Sequence, residues 1–228
     1  TSSAIADSAG FPYGTRDHNK LRNHLLWLAD RALTEWPAEV LVLACNTASV
    51  VALDSLRARL QVPVVGVVPA VKLASDSFPG ESMVVLGTST TVQDSYLDRL
   101  ISDFATSARV ERLAADRLVA AIESGDVAAV SAELAWLQRW LTEHAVAQVV
   151  LGCTHFILAR KEISAIAGSE QRVHDSVAGV TRQSLRVGSS CRNKGSLHAA
   201  ATSAPGREAA LRLQDRFGIG DVQLWQPS

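Results

Sequence analysis

Two cysteines occupy matching positions in the sequence. Cys45 follows the apolar run EVLVLA and Cys153 follows QVVLG, and each has a threonine within the next two residues. If each run is a strand that leads into a helix, the thiol lies at a helix N-terminus, where free backbone N–H groups and the helix dipole favour the thiolate. One cysteine at a strand end is typical of core packing, but two in matching contexts favour chemistry.

Two thiols that face each other across a cleft can move protons in a coordinated way. One thiolate removes a proton from a carbon acid, and the opposite thiol delivers a proton to the other face. This is the chemistry of a two-base racemase or epimerase, and it needs no cofactor. The alternative is a cysteine hydrolase, which uses one cysteine, a histidine and a third orienting group and leaves the second cysteine without a function.

Small polar motifs near the apolar runs fit an amino-acid substrate. A Pro-Tyr-Gly turn exposes backbone N–H groups, and threonines that follow strands offer hydroxyls and helix N-termini suited to a carboxylate. Taken singly, each threonine is more typical of an ordinary N-cap or turn. The candidates are Pro12, Tyr13, Gly14, Thr47, Thr88, Thr91 and Thr154.

The elements that must position these residues alternate along the chain. Four continuous apolar runs, rich in β-branched residues, are typical of strands covered on both faces of a parallel sheet. These predicted strands are Glu39–Ala44, Val62–Val67, Met83–Gly87 and Gln148–Gly152. Apolar stripes at helical spacing occupy residues 21–33, 53–60, 96–104 and 130–141. The alternation of strand and helix predicts an α/β fold.

The two cysteine segments also suggest an internal repeat. EVLVLACNTAS (39–49) and AQVVLGCTHFI (147–157) share an apolar strand, a small residue, a cysteine and a threonine. One such unit in each half of the chain suggests two similar α/β halves that face each other, although a single echo is weaker than a true repeat array.

The composition excludes several classes of protein. The chain has 228 residues with 22 basic and 23 acidic side chains, so it lacks the charge excess that favours nucleic acid or an anionic membrane surface. No apolar run approaches the roughly 18–20 residues that span a bilayer. The few cysteines lack zinc spacing and indicate free thiols in a reducing compartment. We expect a soluble protein, with Cys191 as a bystander in a predicted surface loop, Val187–Ala200.

At these motifs the chain resembles the glutamate racemases of the aspartate/glutamate racemase superfamily. The CNTAS and LGCTH motifs, in this order, are highly specific for that family. The likeness runs from Ile5 to about Ser176 and continues more loosely through ATSAP (Ala201–Pro205). The motifs that carry it are ADSAGFPYGTRD, LVLACNTASVVALDSLR, VPVVGVVPAVKLA, GTSTTV and VVLGCTHF.

The resemblance implies a fold and a domain division. It implies two pseudo-symmetric, three-layer α/β domains with parallel sheets and an active site in the cleft between them. The first domain would comprise residues 1–70 plus 177–228 and the second residues 71–176. It also implies that the reaction uses neither pyridoxal phosphate nor a metal.

The resemblance assigns roles by motif position. Cys45 and Cys153 would be the two catalytic acid/base thiols, and His155 would assist the second of them. Glu123 matches, on a looser alignment, a carboxylate near that histidine, although a solvated carboxylate in the last turn of a helix is its ordinary interpretation. The residues that would hold the carboxylates and the amine of the substrate are Pro12, Tyr13, Gly14, Asn46, Thr47, Thr88, Thr91 and Thr154.

The activity implied is the interconversion of L- and D-glutamate in the cytoplasm, which supplies D-glutamate for peptidoglycan and thus for the cell wall and cell shape. The expected partner is the small-molecule substrate, with no nucleic acid and no membrane; a homodimer is compatible with the resemblance. Aspartate racemase, or another racemase of the superfamily, is the alternative within the same class.

One departure from the family pattern concerns the start of the chain. Family members begin with a strand and a DSGVGG-type loop, whose Asp and Ser lie beside the first cysteine and the substrate amine. This sequence has no such segment before Ile5. We interpret the sequence as an incomplete version of the protein, because the other motifs are all present. The alternative is a catalytically impaired homologue with a binding or regulatory function.

Overall fold

The computed structural model describes residues 2–188, 197–212 and 222–227. The strands are β1 (Ser2–Ala6), β2 (Leu41–Leu43), β3 (Val64–Gly66), β4 (Met83–Gly87), β5 (Val110–Ala114), β6 (Gln148–Leu151), β7 (Val173–His174), β8 (Leu197–Ala201) and β9 (Val222–Leu224). The helices are α1 (His18–Glu35), α2 (Asn46–Arg59), α3 (Val71–Ser77), α4 (Ser89–Gln93), α5 (Ser95–Phe104), α6 (Asp116–Ser124), α7 (Val127–Glu143), α8 (Arg160–Ile166), α9 (Val177–Val187) and α10 (Ala204–Arg212). Short 3-10 helices cover Tyr13–Thr15, Thr154–Ala159 and Glu170–Arg172.

The described strands form three parallel sheets. Their orders are β1-β8-β9, β2-β3 and β5-β4-β6-β7, and every strand pair is parallel. The predicted α/β class with parallel sheets is therefore confirmed. None of the described helices combines the length and the apolar composition that a membrane span requires.

The four-stranded sheet is the centre of three layers. In β4 all five residues are buried, and successive side chains point to opposite faces of the sheet. Val84 and Leu86 pack with Leu118 and other residues of α6 and α7. Met83 pairs in register with Gln148 of β6 and packs on the opposite face, in a cluster that includes residues of α3 and α5. Continuous apolar strands form here because both faces of the sheet are covered.

A second core lies between α1, α2 and the β2-β3 sheet. Leu21 of α1 and Leu56 of α2 are fully buried in it. Gly66 of β3 allows α2 to lie close, because a Cβ at that position would come within 2.7 Å of the Leu53 side chain. This packing fixes the start of α2, where Cys45 lies.

The four predicted strands and the four predicted helical stripes all correspond to observed elements. The strands are shorter than predicted in three cases: β2, β3 and β6. Other strands were not predicted. β5 (VERLA) mixes polar and apolar residues because it is an edge strand with β4 as its neighbour.

The predicted surface loop Val187–Ala200 is wrong over its last four residues. Leu197–Ala201 form β8, which pairs with β1 on one side and β9 on the other. Alanine has a weak preference for strands, but the tertiary position of β8 between two strands overrides it, and Ala199, Ala200 and Ala201 are buried. Residues 189–196 of the predicted loop, including Cys191, lie outside the described residues.

The strands β4–β7 form a sheet of their own, whereas the strands before and after them in the chain form the other two sheets. The division into residues 1–70 plus 177–228 and residues 71–176 remains a prediction. For the site it matters that the two cysteines follow strands of different sheets, β2 and β6.

Candidate active site

Cys45 lies directly before α2, as its N-cap residue. The backbone N–H groups of Ala48 and Thr47 and the Thr47 hydroxyl interact with its sulfur. Burial nevertheless raises the pKa of the Cys45 thiol, and these hydrogen bonds only partly oppose the rise. The helix N-terminus is present as predicted, but desolvation outweighs its effect on the thiolate.

Cys153 follows β6 and precedes a 3-10 helix, Thr154–Ala159, rather than an α-helix. Burial raises the pKa of its thiol and the His155 backbone N–H opposes the rise. The negative charges of Cys45 and Asp116 add to the effect of burial, and the resulting pKa is about 12. The charge of one cysteine thus acts on the titration of the other.

Cys153, His155 and Glu123 form a chain of contacts. The Cys153 Sγ atom lies 3.6 Å from Nδ1 of His155, and Nε2 of that ring lies 2.9 Å from a carboxylate oxygen of Glu123. With a proton on Nε2 donated to Glu123, Nδ1 can accept the thiol proton. Glu123 lies near the end of α6 with its side chain 37% exposed, so it is only partly the solvated carboxylate that its sequence position suggests.

Three buried threonine hydroxyls meet beside Cys45. Thr47 Oγ1 lies 3.0 Å from that of Thr88 and 3.3 Å from that of Thr91. The last two are 3.0 Å apart. Thr88 is also the N-cap of α4, because its hydroxyl accepts from the Thr91 backbone N–H. The N-cap interpretation therefore holds at Thr88, whose hydroxyl also belongs to this group of three.

Asn46 has an unusual environment. Its side chain is 2% exposed, and its carbonyl oxygen Oδ1 has no hydrogen-bond partner among the described residues. An unsatisfied buried acceptor costs about 1–3 kcal/mol. A ligand that donates a hydrogen bond, such as an ammonium group, would remove this cost. Thr154, beside the other cysteine, is half-buried at the start of its 3-10 helix.

The Pro12-Tyr13-Gly14 segment connects the two parts of the site. The Thr90 hydroxyl donates to the Gly14 carbonyl at 2.6 Å. The ring of the preceding Phe11 lies 5.8 Å from the His155 ring, centroid to centroid. Pro12 is exposed before the 3-10 helix Tyr13–Thr15. Residues 11–14, in the chain between β1 and α1, therefore contact residues that follow β4 and β6.

A carboxylate that was not predicted as a site residue lies beneath this segment. Asp7 accepts hydrogen bonds from the Tyr13 hydroxyl at 2.6 Å and from Thr202 at 3.0 Å, and it pairs with His24 at 2.6 Å. Burial alone raises the pKa of Asp7, but these partners and the charge of His24 hold it below its usual value. The charge of Cys45 also acts on Tyr13, which links this group to the first thiol.

The position of Asp7 offers a signal that could have identified it. It follows β1 directly, and ligands of open parallel sheets bind at the carboxyl ends of strands. Gly10 makes room for its carboxylate, because a Cβ on Gly10 would come within 2.0 Å of Asp7 Oδ2. Across the part of the chain that is described, no group of three His, Cys, Asp or Glu side chains is arranged to hold a metal ion.

The chain is similar in sequence to the proteins of one known family. A family model described as Asp/Glu/Hydantoin racemase matches residues 2–183. The chain is 36% identical to a glutamate racemase of Vibrio campbellii over 230 residues, which cover 97% of this chain and 85% of that protein. It is 34% identical to one of Vibrio cholerae, with 96% and 84% covered.

Solved structures agree with the sequence comparison. The Escherichia coli glutamate racemase, solved with L-glutamate and the activator UDP-MurNAc-ala, superposes with a TM-score of 0.85 and 29% identity, covering 98% of this chain and 88% of that one. The glutamate racemase of Aquifex pyrophilus gives a TM-score of 0.72 at 25% identity, with 98% and 86% covered.

Proposed function

Because the chain belongs to the Asp/Glu/hydantoin racemase family, we propose that it interconverts L- and D-glutamate with two cysteine thiols and no cofactor. The observation that carries the proposal is that Cys45 and Cys153 each follow a strand, from different sheets, and that the charge of Cys45 acts on the Cys153 thiol. The similarity of the chain to glutamate racemases, over nearly its whole length, supports glutamate rather than aspartate as the substrate.

The reaction begins when one thiolate takes the Cα proton. The electron pair left at Cα spreads into the adjacent carboxylate, and the opposite thiol then donates its proton to the other face of Cα. After one turnover the first cysteine is a thiol and the second is a thiolate. The reverse reaction uses the same two groups with their roles exchanged.

Forming the thiolate is the difficult part, because burial raises the pKa of both thiols. His155 reduces this difficulty at Cys153 because its Nδ1 can accept the thiol proton. The imidazolium that forms is then stabilised by Glu123. At Cys45 the hydrogen bonds from the start of α2 stabilise the thiolate.

The substrate is held by the polar groups around the two thiols. The hydroxyls of Thr47, Thr88 and Thr91 are suited to the α-carboxylate, where they stabilise the charge that develops in the transition state. The Asn46 carbonyl oxygen, which has no hydrogen-bond partner among the described residues, is suited to accept a hydrogen bond from the ammonium group of the substrate. The Pro12–Gly14 segment and Thr154 complete the proposed set of substrate-binding residues.

The test is incubation with D-glutamate in D₂O, with Cα deuteration followed by NMR and optical rotation by polarimetry. Deuteration together with loss of rotation is the expected result, and aspartate serves as the comparison substrate. Tight binding of glutamate with no exchange at Cα would overturn the proposal in favour of a binding homologue. Faster racemisation of aspartate would assign the chain to the alternative substrate.

The two thiols are tested separately by Cys45→Ala and Cys153→Ala. Each substitution should lower turnover at least about a thousandfold, because each variant lacks the thiol that acts as acid or base on one face of Cα. Circular dichroism and thermal unfolding should match those of the parent protein. Racemisation at the parent rate by either variant would exclude the two-thiol mechanism.

We also propose that the reaction serves to supply D-glutamate for peptidoglycan in the cytoplasm. Loss of the activity in cells should then cause a requirement for D-glutamate. A homodimer remains a prediction, which sedimentation of the purified protein would decide.

A further inference from the structure

One carboxylate near the site has no role in the mechanism described so far. Asp116 is the first residue of α6. Both of its carboxylate oxygens accept from the Ser89 backbone N–H at 3.1 Å. It also accepts from the Ser89 hydroxyl at 2.5 Å. Three contacts from a single residue are a strong local restraint, because hydrogen bonds to a charged acceptor are stronger than neutral ones.

Ser89 lies beside the substrate cradle, which is the group of three hydroxyls of Thr47, Thr88 and Thr91. Ser89 is the first residue of α4, immediately after Thr88 and two residues before Thr91. A carboxylate that holds Ser89 therefore fixes the turn that presents both threonine hydroxyls to Thr47. The restraint comes from α6, an element that supplies no hydroxyl to the cradle itself.

We propose that Asp116 is a positioning residue: its hydrogen bonds with Ser89 fix the turn that holds Thr88 and Thr91. The inference rests on the proposed racemase function.

Two substitutions separate the hydrogen bonds of Asp116 from its charge. Asp116→Asn keeps an oxygen that accepts from the Ser89 N–H and an amide that can donate to its hydroxyl, but it removes the charge. Asp116→Ala removes both the charge and the hydrogen bonds. Asp126→Asn is the matched control, because Asp126 also lies at the start of a helix and accepts a backbone N–H, from Ala129 at 3.0 Å.

The positioning effect is tested by kinetics with glutamate. We expect Asp116→Ala to raise KM about tenfold, and Ser89→Ala, which loses only the hydroxyl contact, to raise it about threefold. Asp116→Asn should leave KM within about twofold of the parent value. In the control variant Asp126→Asn, KM and kcat for glutamate should match the parent values. Parent-like KM values in both Asp116→Ala and Ser89→Ala would overturn the proposed positioning role of Asp116. If Asp116→Ala does not fold, Ser89→Ala decides the outcome alone.

Discussion

Replacing Glu123 by Gln tests how much the carboxylate contributes through His155. The substitution keeps a hydrogen-bond acceptor for Nε2 but removes the charge that stabilises an imidazolium. A hydrogen bond to a charged group is worth about 1.5–3 kcal/mol and a neutral one about 0.5–1.5 kcal/mol. The side chains of His155 and Glu123 are 25% and 37% exposed, so solvent screening reduces the difference to about 1 kcal/mol. Since about 1.4 kcal/mol is a tenfold change in rate, kcat/KM should fall about fivefold.

The assay is polarimetric racemisation started from each enantiomer. L- and D-glutamate have equal free energies, so kcat/KM must fall by the same factor in both directions. Glu133→Gln is the control, because it makes the same charge change in α7, where Glu133 pairs with Arg117 at 3.1 Å; it should leave activity unchanged. The double variant of Glu123→Gln with His155→Asn should be no slower than His155→Asn alone, because Glu123 acts through that ring. The reasoning would be refuted if the losses in kcat/KM of the two single variants added in the double variant, or if Glu123→Gln kept the parent kcat/KM.

Three further predictions concern binding and stability. Thr47→Val should raise KM for glutamate about tenfold, with Thr47→Ser close to the parent, because one hydroxyl of the cradle is lost only in the first; parent-like kinetics in Thr47→Val would contradict the assigned role. Asp7→Asn should destabilise the protein more at about pH 7 than at about pH 3, as measured by urea unfolding. The folded-state pKa of Asp7 is lowered, so its contribution is present above the unfolded-state pKa and is lost as pH falls through the folded-state value; an equal loss at both pH values would contradict it. Phe156→Ala should cost about 3–5 kcal/mol of unfolding free energy, because Phe156 is fully buried in the core beneath Cys153; a loss below about 1 kcal/mol would show that the core refills the space.

The sequence was sufficient to predict the elements that are covered on both faces. The prediction for Met83–Gly87 matches the observed strand to the residue, because an apolar run of this length is typical of a strand and too short for a typical helix. β5 and β8 were missed because their strand conformation comes from tertiary pairing rather than from local pattern. An alanine-rich segment such as β8 has no local sequence pattern that predicts a strand.

The candidate site was predictable where its residues follow strands in recognisable motifs, and the structure brings most of them together. The roles of these residues remain predictions. Asp7, His24 and Thr202 were missed because their contacts join residues up to 195 positions apart in sequence, and no local spacing encodes such a meeting. The direction of the thiol pKa shifts was also missed, because the helix N-terminus can be inferred from sequence whereas the depth of burial cannot.

The ring of three threonine hydroxyls has a consequence for how the site behaves between turnovers. Each hydroxyl has one proton, so the ring can satisfy its own donors when no ligand is bound. In the proposed reaction, a carboxylate that arrives must rotate these protons outward, and when it leaves they can turn back to one another. Thr47 belongs to α2, whereas Thr88 directly follows β4 and Thr91 belongs to α4, so this self-pairing also links α2 to the segment that follows β4. Release of either enantiomer would therefore restore the same internally hydrogen-bonded arrangement of the three hydroxyls.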